Sequence, residues 1–177
     1  MKSKIIAVSA ISAALTAVFL IIGAYFELAD LFAVIIASCF PLMPLYFKSY
    51  KGCVLSYLVG GIIAFLCSGF NVYSIVFPSY VALFGIYPII RCKMQDANIN
   101  KVFRILIGLV WFIAAFYGLY FYYTLIMNGL LDGLPQWMIS YSIYLVGVVA
   151  ILFYFVYDRF VLVVRKVAQV YLGKILK

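Results

Sequence analysis

The sequence predicts an all-α integral membrane protein. It reads as six transmembrane helices with both termini cytoplasmic, followed by a C-terminal amphipathic helix. Three observations carry this. The 177 residues are 69% hydrophobic and 10% charged, whereas an ordinary soluble domain is about half apolar and about a quarter charged. With a mean hydropathy of +1.21, the chain could not cover itself with polar surface in water. The apolar residues gather into six runs, each near the ~20 residues a hydrocarbon core requires. Every basic residue falls on one side of those runs.

The first run, Ile5–Phe26, follows Lys2 and Lys4. A basic head before small apolar residues also suits a signal peptide, but a signal core is only about 7–15 residues long, so the run reads as an uncleaved span. The acidic break ELAD (27–30) leads to Leu31–Phe47, which closes in FPLMPLYFKSYKG. In that stretch Pro41 and Pro44 free the carbonyls of Ala37 and Phe40. Water-exposed, such a helix would break. In a membrane bundle a neighbouring helix, Ser38 or a water can satisfy the freed groups. The prolines then act as a fixed kink or a hinge, and Lys48 ends the span.

Cys53–Phe70 is glycine-rich, and Ser74–Ile90 follows it after the short break NVY (71–73). The basic loop 91–104 leads to Ile105–Met127. The loop NGLLDGLPQ (128–136) then leads to Trp137–Tyr157. Residues 1–157 form the transmembrane domain, and 158–177 form a cytoplasmic tail. In that tail Phe160, Val164, Val167, Ala168, Tyr171, Leu172 and Ile175 share one helical face, opposite Arg165, Lys166, Gln169, Lys174 and Lys177. This pattern suits a helix on the inner leaflet or against a cytoplasmic partner.

The charges set the orientation. Lys2, Lys4, Lys48, Lys51, Arg91, Lys93, Lys101, Arg104, Arg159, Arg165, Lys166, Lys174 and Lys177 share one side, while Glu27, Asp30 and Asp132 mark the other. Lys and Arg collect in cytoplasmic loops, so both termini are expected inside. The formal charge of +8 then reflects topology and anionic membrane lipid, with no nucleic-acid partner.

Much chemistry is missing. There is no histidine, and no P-loop, GxSxG or HExxH pattern. Cys39, Cys53, Cys67 and Cys92 form no CxxC pair and read as small apolar residues. No charged residue lies within the body of a span, which argues against a proton relay. Glu27 and Asp30 alone are too thin a set for a metal, so no metal, cofactor or catalytic residue is expected.

What remains is a group of polar and aromatic residues at the outer ends of the spans: Glu27, Asp30, Asn71, Tyr73, Tyr123, Asn128, Asp132, Gln136, Trp137 and Tyr141. Individually they suit an aromatic interface belt with topological acids. Together they suit a pocket open to the outside, with rings to stack on and acids to orient a neutral or cationic small molecule.

Span one, SAISAALTAVFL, places Ala10 and Ala14, and Ala13 and Ala17, four apart, a spacing that lets another helix approach closely. After it come PLMPLYFKSYKG, the third span LVGGIIAFLCSG and the fourth span FPSYVALFGIYPIIR. This order resembles the substrate-binding (S) subunit of energy-coupling factor (ECF) transporters, or a related S-component-like membrane family with a PxxPL stretch. The resemblance covers spans one to four, and spans five and six fit in number. It implies a multi-pass subunit of the bacterial cytoplasmic membrane that binds a vitamin-like micronutrient at its outer face. It implies as partners a transmembrane T component, contacted through Ala10, Ala13, Ala14 and Ala17, and two cytoplasmic ATPases. No vitamin-class signature is present. The contrasting reading is a small accessory or structural protein of the cell envelope without transport activity.

Overall fold

Serine, alanine and glycine recur along the first and third hydrophobic runs, and at those positions the helices meet. The computed structural model describes residues 2–70, 74–126 and 136–175, and among them it is all-helical. The chain divides into two compact units: Met1–Asn98 with Phe160–Lys177, and Ile99–Arg159.

In the first unit, α1 (Lys2–Tyr25) lies against α2 (Asp30–Ala37), a 3-10 helix (Phe40–Phe47) and α3 (Tyr50–Cys67). Inside a membrane, lipid is as apolar as leucine, so close backbone approach and interhelical hydrogen bonds drive association. Both occur here. A Cβ on Gly60 would lie 2.8 Å from Thr16 Cβ and 3.0 Å from the Ala13 carbonyl oxygen. One on Gly52 would lie 2.7 Å from Ser9 Oγ. The Ser56 hydroxyl donates to the Ser9 carbonyl at 2.9 Å. Toward α2, a Cβ on Gly23 would meet Ala33 Cβ at 2.9 Å.

The prolines do more than kink the second run. The α-helix ends at Ala37, and Phe40–Phe47 continues as a 3-10 helix that buries Pro41, Leu42, Pro44 and Leu45. The Ser12 hydroxyl of α1 donates to the Phe40 carbonyl, which in an α-helix would have faced residue 44. Lys48 then turns left-handed (φ 56°, ψ 26°), and Ser49 caps α3 by accepting from the Gly52 N–H at 3.2 Å.

The fourth predicted span, Ser74–Ile90, is a run of short helical pieces: α4 (Val76–Ser79), a π-helical turn (Tyr80–Phe84) and α5 (Ile86–Asp96). The Gly85 N–H reaches the Tyr80 carbonyl at 2.7 Å, an i to i+5 bond. Tyr57 of α3 supports the turn. Its hydroxyl donates to the Val81 carbonyl at 3.2 Å, and its ring occupies the space that a Cβ on Gly85 would fill, 2.2 Å from the Tyr57 Cε2. None of these pieces is long enough by itself to span a bilayer.

The second unit pairs α6 (Lys101–Ile126) with α7 (Gln136–Ile175) as far as Arg159. Its interior is aromatic. Phe112, fully buried, has ring centroids of Tyr154 and Tyr157 at 5.5 and 5.9 Å. Gly108 gives Tyr154 its room, since a Cβ there would fall 2.5 Å from the ring. Farther along the same pair, Tyr117 donates to the Ile143 carbonyl at 2.9 Å, and the Tyr120 and Ser142 hydroxyls lie 2.9 Å apart.

Five stretches among the described residues are long and apolar enough to cross a membrane: Ser3–Tyr25, Asp30–Phe47, Tyr50–Cys67, Lys101–Leu125 and Ser140–Tyr171. The last runs on into the residues expected to form the tail beyond Tyr157. α7 runs without a break through 157 and 158, because Asp158 and Arg159 are charged but carry no helix-breaking chemistry. Within the chain, Val161 is buried and the Arg165 side chain is 14% exposed, whereas Val167 and Tyr171, on the apolar face expected to meet lipid or a partner, are 47% and 63% exposed.

Candidate functional site

The residues expected at the outer face are placed unevenly. Asn71, Tyr73, Asn128 and Asp132 lie outside the described residues, as do the side chains of Glu27, Gln136 and Trp137. The backbone puts Glu27 at the start of a 3-10 turn (Glu27–Ala29) and Asp30 at the first residue of α2. There the Asp30 carboxylate accepts from the Leu31 N–H. A carboxylate at this end of a helix suits the positive pole of the helix dipole. In the second unit Tyr123 is buried with its ring edge-on to Tyr122, and Tyr141 is 59% exposed beside Tyr144. These residues supply rings and acids from the ends of several elements. Glu27 and Asp30 belong to one unit, and Tyr123 and Tyr141 to the other.

The alanines of span one divide. Ala13 and Ala17 are 5% and 4% exposed and face the chain's own helices, as the Ala13 carbonyl against Gly60 shows. Ala10 and Ala14 are exposed. The expectation that all four form one partner face is corrected on this point. Ala13 and Ala17 already serve internal packing, so only Ala10 and Ala14 are open to another helix.

A third cluster went unpredicted. Arg165 of α7 forms an ion pair with Asp96 at the end of α5, and the Tyr50 hydroxyl at the start of α3 donates to the other oxygen of the same carboxylate. Arg165 Nη1 also reaches the Cys92 carbonyl and Gln95 Oε1, each at 3.3 Å. Burial alone would raise the Asp96 pKa, but the hydrogen bonds from Arg165 and Tyr50 outweigh it and hold the carboxyl below its ordinary value. One carboxylate therefore gathers the end of α5, the start of α3 and the later part of α7. The sequence signal was slight: Asp96 is the lone acid in the basic loop 91–104.

Among the described residues no group of three or more Cys, Asp or Glu side chains is arranged to hold a metal ion. No family model, curated protein or solved structure matches the chain.

Proposed function

We propose that the chain is the substrate-binding subunit of an ATP-driven uptake transporter, without catalysis of its own. It would capture a vitamin-like small molecule at the outer face of a bacterial cytoplasmic membrane. In this reading the chain crosses the bilayer six times with both termini inside. The run Val76–Asp96 serves as the fourth span, broken at its π-helical turn. Broken membrane helices are stable where their freed backbone groups find partners, as the Val81 carbonyl does in Tyr57. Residues beyond Arg159 form an amphipathic continuation of the last span on the cytoplasmic side.

The observation that carries the reading is the division of α1. One face is knit to α2 and α3, while Ala10 and Ala14 on another face stay open. Small exposed residues four apart in a membrane helix favour close docking of a second helix. That suits a subunit that couples to a transmembrane T component and, through it, to two ATPases. The three outer acids, with no outer base, favour a neutral or cationic ligand.

The test is purification from native membranes in mild detergent. Recovery of a large membrane subunit with a pair of ATPases supports the proposal. Recovery of the chain alone, or with envelope-assembly proteins only, supports the accessory reading instead.

A further inference from the structure

We propose that the outward face of the C-terminal segment of α7 is a binding surface for anionic lipid headgroups. The inference rests on the reading of α7 as a membrane span whose C-terminal end is cytoplasmic.

The clasp at Asp96 fixes how this segment is turned. With Arg165 directed to Asp96 and Val161 buried, the opposite side of the helix must face out. That side carries Val163, Val167 and Val170, which are 58%, 47% and 57% exposed, together with the exposed Arg159 and Lys166. At about 100° per residue these five positions fall within an arc of about 100°. Among the described residues no carboxylate pairs with Arg159 or Lys166, whereas Arg165 is already neutralised. The face therefore presents open positive charge set among valines.

Length points to where the face lies. Ser140–Tyr171 is 32 residues, or about 48 Å of helix at ~1.5 Å per residue, against a hydrocarbon core of about 30 Å. Its C-terminal part must pass the core and enter the headgroup layer. There valines sit in the acyl boundary, while the long stems of Arg and Lys carry their charges to phosphate oxygens. A protein helix would fit less well. Its seam would be a continuous apolar row with charges at the flanks, but here Lys166 and Arg159 lie within the row itself. A lipid surface requires no such register.

The test is native mass spectrometry of the full chain in neutral detergent, titrated with phosphatidylglycerol or phosphatidylcholine. The wild type should prefer phosphatidylglycerol. Arg159→Gln with Lys166→Gln should lower its affinity about fivefold for each cation removed, with phosphatidylcholine unchanged. The charge-conserving pair Arg159→Lys with Lys166→Arg should keep the preference. Equal binding of the two lipids by the wild type overturns the proposal, as does an equal loss in Lys48→Gln with Lys51→Gln, which would mean only diffuse charge. Binding of a Glu-rich helical peptide to this face with no preference for the anionic lipid also overturns it, giving the surface to a protein partner. Labelling of Lys166 in intact cells by an impermeant amine reagent separates the two levels. Labelling from outside would sink the topology on which the proposal rests, whereas protection together with lipid indifference sinks the proposal alone.

Discussion

The Ser12 hydroxyl hydrogen-bonds the Phe40 carbonyl, joining α1 to the proline-bearing 3-10 segment across 28 positions of sequence. In an α-helix that carbonyl would face residue 44, and Pro44 has no N–H to offer it. The segment is instead a 3-10 helix, in which the carbonyl faces Met43, and the serine adds a bond from the neighbouring helix. Ser12→Ala should therefore destabilise the protein by about 0.5–2 kcal/mol in unfolding from detergent. In a Pro44→Ala background the same change should cost less, because residue 44 regains an N–H and an α-helical register that brings it to the Phe40 carbonyl becomes available. Equal costs in the two backgrounds would dissociate Ser12 from the proline.

Gly60 tests the close approach of α1 and α3. A Cβ there meets Thr16 and the Ala13 carbonyl at 3.0 Å or less, so Gly60→Ala must push the helices apart. The expected loss is about 1–3 kcal/mol, with less folded protein recovered. Gly118, with nothing within 4 Å, is the control. Gly118→Ala should be neutral or slightly stabilising through helix propensity.

The Asp96 clasp gives a pH dependence of known sign. Its carboxyl has a lowered pKa in the folded chain, so its contribution is present above the unfolded value of about 3.9 and is lost as pH falls through the lowered one. Protection of residues 160–171 from amide exchange should hold at neutral pH and drop in that acidic window. Asp96→Asn should remove the pH dependence and lower protection throughout. The swap Asp96→Arg with Arg165→Asp should restore part of it.

Ala14 and Ala13 should respond differently to bulk. Ala14→Leu adds volume on the open face of α1 and should cut recovery of a membrane partner while the monomer stays folded. Ala13→Leu acts inside the first unit, so it should lower monomer stability first. If both variants fold and both release the partner equally, the division of this helix into inner and outer faces is wrong.

The sequence made the helical class and the apolar stretches legible because each rests on local composition. Pro41 and Pro44 signalled a break in the α-helical register, expected to free the carbonyls of Ala37 and Phe40, but not the 3-10 winding that the segment adopts. The partner Ser12 was hidden, since nothing in an apolar run tells which of its hydroxyls faces a given carbonyl. The π-helical turn was likewise invisible. Hydropathy is indifferent to whether Tyr80–Phe84 is α or π, and the support from Tyr57 is tertiary. That α7 continues unbroken past Asp158 and Arg159 could not be read from their charge, because charge alone neither breaks nor prolongs a helix. Arg165 was assigned to a polar outer face because its partner, Asp96, lies 69 positions away. Of the candidate site, the residue types could be read from sequence but not whether they meet. Glu27, Asp30, Tyr123 and Tyr141 come from separate elements, whose placement no periodicity encodes.

The most direct measurement of the central claim is mass spectrometry of small molecules released from gently purified protein, paired with binding to Trp137→Ala. The account predicts one bound molecule, neutral or cationic and partly aromatic, whose affinity falls by roughly 1–3 kcal/mol on loss of the indole. A protein that carries no small molecule, or one that carries a multiply charged anion, would contradict it.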